Sequence, residues 1–346
     1  MKSTLVRLSS GLVLLALSFA SAVAQDAKPA PLHVVTTLGV LADFAKQIGG
    51  EYVDVHALAD ARQDPHYVEP RPTLMQRARE ADVFIEVGLQ LEMWAEKVVA
   101  GSGNTRIQTG QPGRVVASVG ISTLELPTTL SREWGDVHPY GNPHIWLDPL
   151  NAKDMAANIC DSLCKIDAAH ATEFKAHLEA FQQKIDDSLF GAELVKQVGG
   201  KKLARLARQG SLDEFLKSKS LEGSLGGWLK LAHGLQGRPI VTYHKTSVYL
   251  SDRFGFKIPI EIEEKPGIPP SARHRDAVVE LIKQQHVKTV MQEVFYDRAS
   301  ADYLTAQTGV HVVVVPMDVG PEVGISDYFA LIQNFLDKLV ASEASN

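Results

Sequence analysis

The sequence predicts an α/β protein with two lobes, each built on a parallel β-sheet, that are joined by a long rigid helix. Three observations predict this fold class. Short runs rich in β-branched residues alternate with helical patterns over residues 32–100, and the alternation returns over residues 239–340. Between them, residues 151–198 contain no proline and one glycine, as is typical of long helices. A chain of 346 residues is also long enough for about two domains.

The first lobe is predicted from the alternation that follows a short lead rich in proline and alanine. The predicted strands are residues 32–38, 52–58 and 82–87. The predicted helices are residues 40–48, 72–81 and 91–100, the second opened by a proline in its first turn and the third ended by a glycine. Strands that alternate with helices in this way form a parallel sheet covered on both faces.

The second lobe repeats the pattern. Its predicted strands are residues 239–243, 257–261, 287–292 and 311–315. Its predicted helices are residues 247–254, 271–285, 299–308 and 326–340. Two lobes of similar build follow from this repetition.

The helix between the lobes is predicted from apolar residues that recur every three or four positions, which is one face of a long helix. These residues are Phe174, Leu178, Phe181, Ile185 and Leu189. We therefore divide the chain into residues 25–168 as the first lobe, 169–198 as the connecting helix and 199–346 as the second lobe. A basic helical insertion is expected near residues 201–227, either solvated or used as a docking surface.

The first 24 residues predict a signal peptide. A basic start precedes an apolar run over residues 11–20, and small residues at 22–24 supply a cleavage pattern, so we expect cleavage before Gln25. The apolar run is too short for a comfortable membrane span, and no later stretch approaches the roughly 20 apolar residues that a spanning helix needs. The sequence therefore predicts a periplasmic protein that is soluble after cleavage.

Cysteine content and charge narrow the class of protein further. Cys160 and Cys164 lie far from the cleavage site, which argues against a lipid anchor there. They are four residues apart in a predicted helix, where bridging geometry is poor, so two reduced thiols are favoured over a disulfide. The formal net charge of -6 argues against nucleic acid as a partner. We expect a monomer.

Four polar residues are predicted to meet in the cleft between the lobes. His66 follows the second strand, and His144 leaves a stiff turn at Asn142-Pro143. His244 and Asp318 stand at the carboxyl ends of the first and last strands of the second lobe. Ligands of open parallel sheets bind beyond the carboxyl ends of the strands, so two residues from each lobe converge there.

Three imidazoles and one carboxylate form a ligand set for a divalent transition metal, above all zinc, and suit calcium or magnesium poorly. Four protein ligands leave no position for a reactive water, which favours holding the ion over using it in catalysis. Asp64, Glu69 and Asp148 are near enough in sequence to fix the imidazole tautomers. Glu69 could instead cap the helix near residue 72. His138 and His233, in predicted loops, are minor candidates for metal ligands.

Three histidine motifs in order give the sequence a recognisable pattern. The first is Asp64-Pro65-His66 with Glu69-Pro70, and the second is residues 142–149 around His144. The third is Tyr243-His244, followed by Tyr249 and residues 253–255. The segment 265–271 belongs to the same pattern. Over residues 32–342 the chain resembles the solute-binding proteins of metal-ion ABC transporters, in the zinc and manganese cluster with a rigid interdomain helix.

The resemblance implies metal capture in the cleft and delivery to an inner-membrane permease driven by a cytoplasmic ATPase. It implies ligation by His66, His144 and His244, and by Asp318 on a looser match, with Glu293 and Glu322 as substitutes. Manganese-preferring members tend to have glutamate as the third ligand, so His244 favours Zn²⁺ as the transported ion, with Mn²⁺ as the alternative. The segment 120–141 holds only His138, and the insertion near 201–227 lies outside the common pattern.

Other functions remain as alternatives. A manganese or iron uptake receptor would belong to the same family. An exported zinc-dependent hydrolase would need an open coordination position and a general base. The chain has no HExxH helix, and Glu293 is the one convenient base. Sugar or amino-acid binding would need aromatic and arginine contacts where the cleft loops offer histidines. We therefore predict a metal receptor that is not an enzyme.

Overall fold

The computed structural model of the protein describes residues 30–127 and 138–345. The predicted signal peptide lies outside these residues. The strands of the first lobe are β1 (Leu32–Thr36), β2 (Val53–Ala57), β3 (Val83–Glu86) and β4 (Arg114–Val116). They form a parallel sheet in the order β2-β1-β3-β4, which confirms the three predicted strands. The unpredicted β4 is a three-residue edge strand, too short to show a period of its own.

The second lobe contains a parallel sheet in the order β5-β6-β7, formed by β5 (Ile240–Thr242), β6 (Thr289–Glu293) and β7 (His311–Val315). The strand predicted over residues 257–261 is wrong. Only isolated bridges, Pro239 to Lys257 and Thr242 to Glu261, join this segment to the sheet. Pro259 between them has no N–H to donate to a ladder, so a continuous strand cannot form.

Helices connect and cover the strands. In chain order they are α1 (Gly39–Gly49), α2 (Pro72–Glu80), α3 (Met93–Ser102), α4 (Pro149–Ile166), α5 (Ala171–Phe190), α6 (Ala192–Val198), α7 (Gly200–Arg208), α8 (Leu212–Lys219), α9 (Gly227–Leu231), α10 (Val248–Phe254), α11 (Ala272–Gln285), α12 (Ala299–Thr308) and α13 (Tyr328–Ala344). None of these described helices combines the length and hydrophobicity that a membrane span requires.

The segment that connects the lobes forms two helices, α5 and α6, where one helix over residues 169–198 was predicted. Helix α5 ends at Phe190, because Gly191 has φ +87° and a Cβ there would lie 2.7 Å from the Cα of Gly226. Only glycine tolerates both that backbone conformation and that approach. Helix α5 still packs against α1 of the first lobe and against α9, which precedes the second sheet.

The segment that precedes the second sheet is helical and basic. Helices α7 and α8 bury Leu203, Leu212 and Leu216 against the rest of the protein. Arg208 donates to the carboxylate of Asp154 on α4 at 2.6 Å. The segment is therefore attached to the fold through one apolar side, with most of its basic side chains exposed.

The lobes share one hydrophobic core, and the described residues from Pro31 onward form one compact unit. Phe44 on α1 contacts Tyr328 on α13 edge-to-face, with ring centroids 5.1 Å apart. The Trp146 indole N–H donates to the carbonyl of Met317 at 3.0 Å, and the Tyr328 hydroxyl donates to the carbonyl of Trp146 at 2.8 Å. These buried contacts fix the position of the His144 turn relative to the second lobe.

Candidate metal centre

His66 lies in the loop between β2 and α2. The carboxylate of Asp64 accepts from the backbone N–H of His66 at 2.9 Å and lies 2.7 Å from its ring Nδ1. The carbonyl of Pro65 accepts from the Trp94 indole at 2.8 Å, which fixes the loop to α3. The His66 side chain is 8% exposed. One short turn thus aims its remaining ring nitrogen, Nε2, into the cleft.

His144 follows Asn142-Pro143 and is 1% exposed. The side-chain oxygen of Asn142 accepts from the backbone N–H of His144 and lies 3.0 Å from its Nδ1. The amide nitrogen of Asn142 donates to Glu125 at 2.9 Å and to the carbonyl of Lys245 at 2.6 Å, so the orientation of the amide is determined. Among the described residues, His144 Nε2 has no hydrogen-bond partner although it is buried.

His244 comes two residues after the end of β5, where the chain leaves the sheet. Its Nδ1 lies 2.7 Å from the carboxylate of Glu263, and both side chains are 6% exposed. The same Glu263 oxygen accepts from the backbone N–H of Gly267 at 3.3 Å. Glu263 is thereby held in place and orients the imidazole.

The three histidines form a group. One ring nitrogen from each lies within 4.8 Å of the others, and they are the one such group of potential ligands in the described chain. Their ring centroids are 5.2 Å, 5.5 Å and 5.8 Å apart. The structure therefore brings together His66 and His144 from the first lobe with His244 from the second.

The tautomer of each imidazole follows from its partner. Ionised carboxylates only accept hydrogen bonds, so Asp64 and Glu263 place the proton on Nδ1 of His66 and His244. The Asn142 oxygen does the same for His144, because the Asn142 amide nitrogen donates elsewhere. All three Nε2 atoms then carry the lone pair; that of His144 has no partner among the described residues, and that of His66 lies 3.2 Å from Nε2 of His138. Metal-bound imidazoles usually have such a partner on the other nitrogen.

Charge at the site depends on burial and on neighbouring carboxylates. Burial, and then the neighbouring imidazoles, lower the pKa of His144 well below its ordinary value, which keeps His144 neutral. Burial alone would also lower the pKa of His244. The hydrogen bond and charge of Glu263 outweigh that effect, so the pKa of His244 lies above its ordinary value. A proton therefore competes with a metal more strongly at His244 than at His144.

The structure places Asp318 outside the histidine group. Its two oxygens accept from the backbone N–H groups of Gly39 at 2.8 Å, Val40 at 2.6 Å and Val319 at 2.9 Å. Asp318 therefore stabilises the amino terminus of α1, where unpaired N–H groups and the helix dipole favour a carboxylate. Burial nevertheless raises its pKa to about 6.

Of the two substitutes for Asp318, only Glu293 lies close to the site. Glu293 is fully buried at the end of β6, and one of its oxygens accepts a short hydrogen bond from the Thr246 hydroxyl. Its other oxygen has no hydrogen-bond partner among the described residues, and burial raises its pKa to about 7. Its charge acts on His244. Glu322 instead accepts from the backbone N–H of Ala61 at 2.7 Å.

The three carboxylates predicted to orient the imidazoles, those of Asp64, Glu69 and Asp148, differ in what they contact. Asp64 contacts His66, as described above. Glu69 is 79% exposed beside Arg71, and Asp148 accepts from the backbone N–H of Leu150 and from the guanidinium of Arg253. Asp148 thus caps α4 and ties it to the second lobe, and within the described residues no hydrogen bond or ion pair joins Glu69 or Asp148 to an imidazole. Proximity in sequence does not orient these two carboxylates toward the site.

The family profile described as "ZnuA: Zinc-uptake complex component A periplasmic" matches residues 34–189 and 228–342. The chain belongs to this family. The predicted resemblance to metal-ion solute-binding proteins is confirmed, and the chain is a component of metal transport, not an enzyme, since the family consists of substrate-binding transport proteins. The unmatched residues 190–227 contain most of the basic helical segment.

Curated relatives have several metals in their names. The iron-binding protein YfeA of Yersinia pestis is 26% identical over 313 residues, which are 88% of this chain and 84% of YfeA. The iron ABC transporter substrate-binding lipoprotein MtsA of Streptococcus pyogenes serotype M1 is 28% identical over 50% of this chain and 54% of its own length. The manganese lipoprotein PsaA of Streptococcus anginosus is 28% identical over 45% of this chain and 48% of PsaA.

Solved structures share the two-lobe fold. A crystal structure of ZnuA superposes with a TM-score of 0.67 at 21% identity, covering 91% of this chain and all of that one. The Mn-bound periplasmic metal binding protein of candidatus liberibacter asiaticus gives a TM-score of 0.65 at 19% identity, covering 90% of this chain and 99% of that one. The predicted fold class of two parallel-sheet α/β lobes is confirmed.

Sequence reasoning missed several residues at this ZnuA-family site. Glu263 lies 19 residues beyond His244 and reaches it only through the fold. Asn142 was considered only as part of a rigid turn. His138, considered only as a minor candidate, has its Nε2 3.2 Å from that of His66. The Asn-Pro-His order was the only signal for Asn142, since an Asn side chain readily bonds the backbone two residues ahead.

Replacing Glu263 by glutamine is expected to weaken zinc binding by about tenfold to a hundredfold, the range typical of partners that orient a metal-bound histidine. The amide removes the negative charge that supports the Nδ1 proton of His244. Competition titration of purified protein against a chromophoric chelator measures the change. Glu264→Gln, an exposed neighbour, is the matched control. Equal affinities for both variants would show that Glu263 does not orient His244.

Proposed function

We propose that this protein captures a divalent transition metal in the periplasm, Zn²⁺ above all, and delivers it to an ABC permease powered by a cytoplasmic ATPase. The observation that carries the proposal is the convergence of three imidazole Nε2 atoms, each with its Nδ1 held by another residue. Nitrogen-rich sites favour zinc and other borderline metals over calcium or magnesium. The metal is cargo that is bound and released intact.

Periplasmic action is supported by the description of the family profile and by the predicted cleavage of residues 1–24. Delivery to a permease is supported by the way family members work, since the substrate-binding proteins of ABC importers function with a membrane permease and an ATPase. No nucleic-acid partner is proposed, and we expect the receptor to act as a monomer.

A manganese or iron receptor is the second candidate. The printed names of YfeA, MtsA and PsaA specify iron or manganese. The residue of this chain that favours such ions is Glu293, whose unpartnered oxygen is a harder ligand than imidazole. His244, however, is the histidine that the second lobe contributes to the site, and it supplies an imidazole nitrogen where a carboxylate would supply oxygen. That nitrogen gives zinc the advantage over manganese.

Competition among metals tests the proposal. Purified residues 25–346, stripped of metal by a chelator, would be dialysed anaerobically against zinc in the presence of excess manganese and ferrous iron, and the retained metal determined by elemental analysis. We expect one equivalent of zinc. Retention of manganese or iron would favour the second candidate. Retention no greater than that of a His66→Ala/His244→Ala double variant would contradict metal capture altogether.

A further inference from the structure

A short segment of the first lobe lies across the boundary between the lobes, beside the metal centre. We call this segment, residues 123–125, the strap. The backbone N–H of Leu124 donates to the Tyr249 hydroxyl of α10 at 3.0 Å, and that hydroxyl donates to the carbonyl of Asn142 at 2.7 Å. The Leu124 carbonyl accepts from the backbone N–H of Asn142 at 2.8 Å. One buried tyrosine of the second lobe thus joins the strap to the turn that carries His144.

The strap packs so closely on the His144 turn that one position of the turn requires glycine. Gly141 has φ +93°, and a Cβ there would lie 2.8 Å from the carbonyl oxygen of Leu124. The Thr123 hydroxyl also donates to the carbonyl of Tyr140 at 2.7 Å. Strap and turn are therefore held together at consecutive residues.

Glu125 contacts a segment next to a ligand in each lobe. One of its oxygens accepts from the side-chain amide of Asn142 at 2.9 Å, and the other pairs with the ammonium of Lys245 at 3.2 Å. Asn142 orients the imidazole of His144, and Lys245 directly follows His244 in the chain. The Glu125 side chain is 33% exposed, so most of its surface is taken up by these and other contacts.

The backbone of Glu125 adopts a conformation that residues other than glycine rarely occupy. Its φ is +53°, in the left-handed region. Backbone strain of this kind persists only where the surrounding contacts over-determine it, and it is concentrated at functional sites. Here those contacts are the hydrogen bonds of Leu124 on one side and the two partners of the carboxylate on the other. The left-handed bend thus directs the carboxylate to the point where the lobes meet.

We propose that Glu125 is a positioning residue of the metal centre, which holds the His144 turn against the His244 segment and thereby slows release of the ion; this inference rests on the proposed function. The amide nitrogen of Asn142 has two acceptors, the Glu125 carboxylate and the Lys245 carbonyl. Without Glu125, the amide loses one of them and turns away from His144 more readily. His144 is then held less firmly, so zinc dissociates faster while its capture is little changed.

The rate of zinc release tests this role. Residues 25–346 loaded with one equivalent of Zn²⁺ would be mixed with excess chelator in a stopped-flow instrument, as wild type and as single variants. Glu125→Ala should release zinc about tenfold faster, the low end for residues that support a metal-bound histidine. Glu125→Gln keeps an oxygen for the Asn142 amide and should recover most of the slow release. Lys245→Met removes only an exposed ion pair and should change the rate by about twofold.

Two further measurements separate positioning from a merely structural role. A structural role would lower the melting temperature of the metal-free protein without changing the release rate, so both quantities are compared. In an Asn142→Ala background, Glu125→Ala should have no further effect, because residues that act through one another are not additive. Glu96→Ala is the matched control and should release zinc like the wild type, since Glu96 is a first-lobe glutamate that pairs with a cation, Arg114.

The inference is overturned if Glu125→Ala releases zinc as slowly as the wild type, or if Glu125→Gln releases it as fast as Glu125→Ala. It is also overturned if Glu125→Ala still accelerates release in the Asn142→Ala background. In each case the proposed function stands as long as the wild type binds zinc through His66 and His244. Failure of the proposed function would instead appear as no zinc retained by the wild type, which would overturn both.

Discussion

Replacing His144 by alanine is expected to weaken zinc binding by about a hundredfold to a thousandfold. Zinc sites with four protein ligands have apparent binding free energies of about 10–16 kcal/mol, or roughly 2.5–4 kcal/mol per ligand. Each 1.4 kcal/mol corresponds to about tenfold in affinity. No other residue can substitute easily, because His144 is buried with its Nε2 directed into the site and its ring held by Asn142.

Competition titration against a chromophoric chelator at pH 7.5 measures this loss, with circular dichroism to verify folding. The turn should survive, since Asn142 still accepts from the backbone N–H at position 144. His311→Ala, at the exposed start of β7, serves as the reference substitution and should bind like the wild type. An affinity of His144→Ala within about threefold of the parent would mean that the site is assigned to the wrong residues, because that is far below the cost of one ligand.

The sequence predicted the sheets well because strand signals are local. The runs of β-branched residues that became β1 and β6 are buried along most of their length, and β7 is buried at Val313 and Val315, so composition alone distinguishes these strands. Strand β4 was missed because three residues show no period. The segment containing Pro259 was mistaken for a strand because its neighbours are apolar, although proline cannot join a ladder.

The connecting helix illustrates a different limit. The periodic apolar residues from Phe174 to Leu189 predicted α5 correctly, and all but Leu178 of those residues are buried. What the pattern could not predict was the end at Gly191, because the requirement for glycine comes from the backbone of Gly226, 35 residues away. Contacts between segments distant in sequence leave no local period to detect.

The same distinction between local signals and contacts of distant segments applies to the residues of the site. The three histidines could be predicted because each lies at a recognisable turn or strand end. Their partners could be predicted only where the partner is a near neighbour on the same turn, as Asp64 is for His66. Glu263 comes from a separate loop, and its effect on the pKa of His244 depends on three-dimensional proximity alone.

Buried hydrogen bonds also determine how the lobes can move. Arg253 of the second lobe donates to Asp148 at 2.8 Å and 2.7 Å, and the Tyr249 hydroxyl donates to the carbonyl of Asn142 at 2.7 Å. Leaving a buried polar group unpaired costs about 1–3 kcal/mol, and more for a charged one. Wide opening of the cleft would break all of these bonds at once, so release of metal by local changes at the ligands is favoured.

Acidification from pH 7.5 to pH 5 is expected to weaken zinc binding by about a thousandfold or more. An imidazole with an ordinary pKa of about 6.5 costs about thirtyfold at pH 5, because a proton occupies the nitrogen that the metal needs, and three would cost about 30,000-fold. The lowered pKa of His144 removes it from this competition. The raised pKa of His244 makes its share larger than thirtyfold, since His244 is cationic at every pH below that value.

Chelator competition at several pH values between 5 and 8 measures this dependence, and Glu263→Gln identifies its source. Without the negative charge of Glu263, burial dominates and the pKa of His244 falls, so the variant should lose less affinity on acidification even though it binds zinc more weakly at neutral pH. Parallel curves for the two proteins would show that His244 does not control the acid response. An affinity that stays flat over this range would contradict imidazole ligands altogether, because proton competition with neutral imidazole is unavoidable near its pKa.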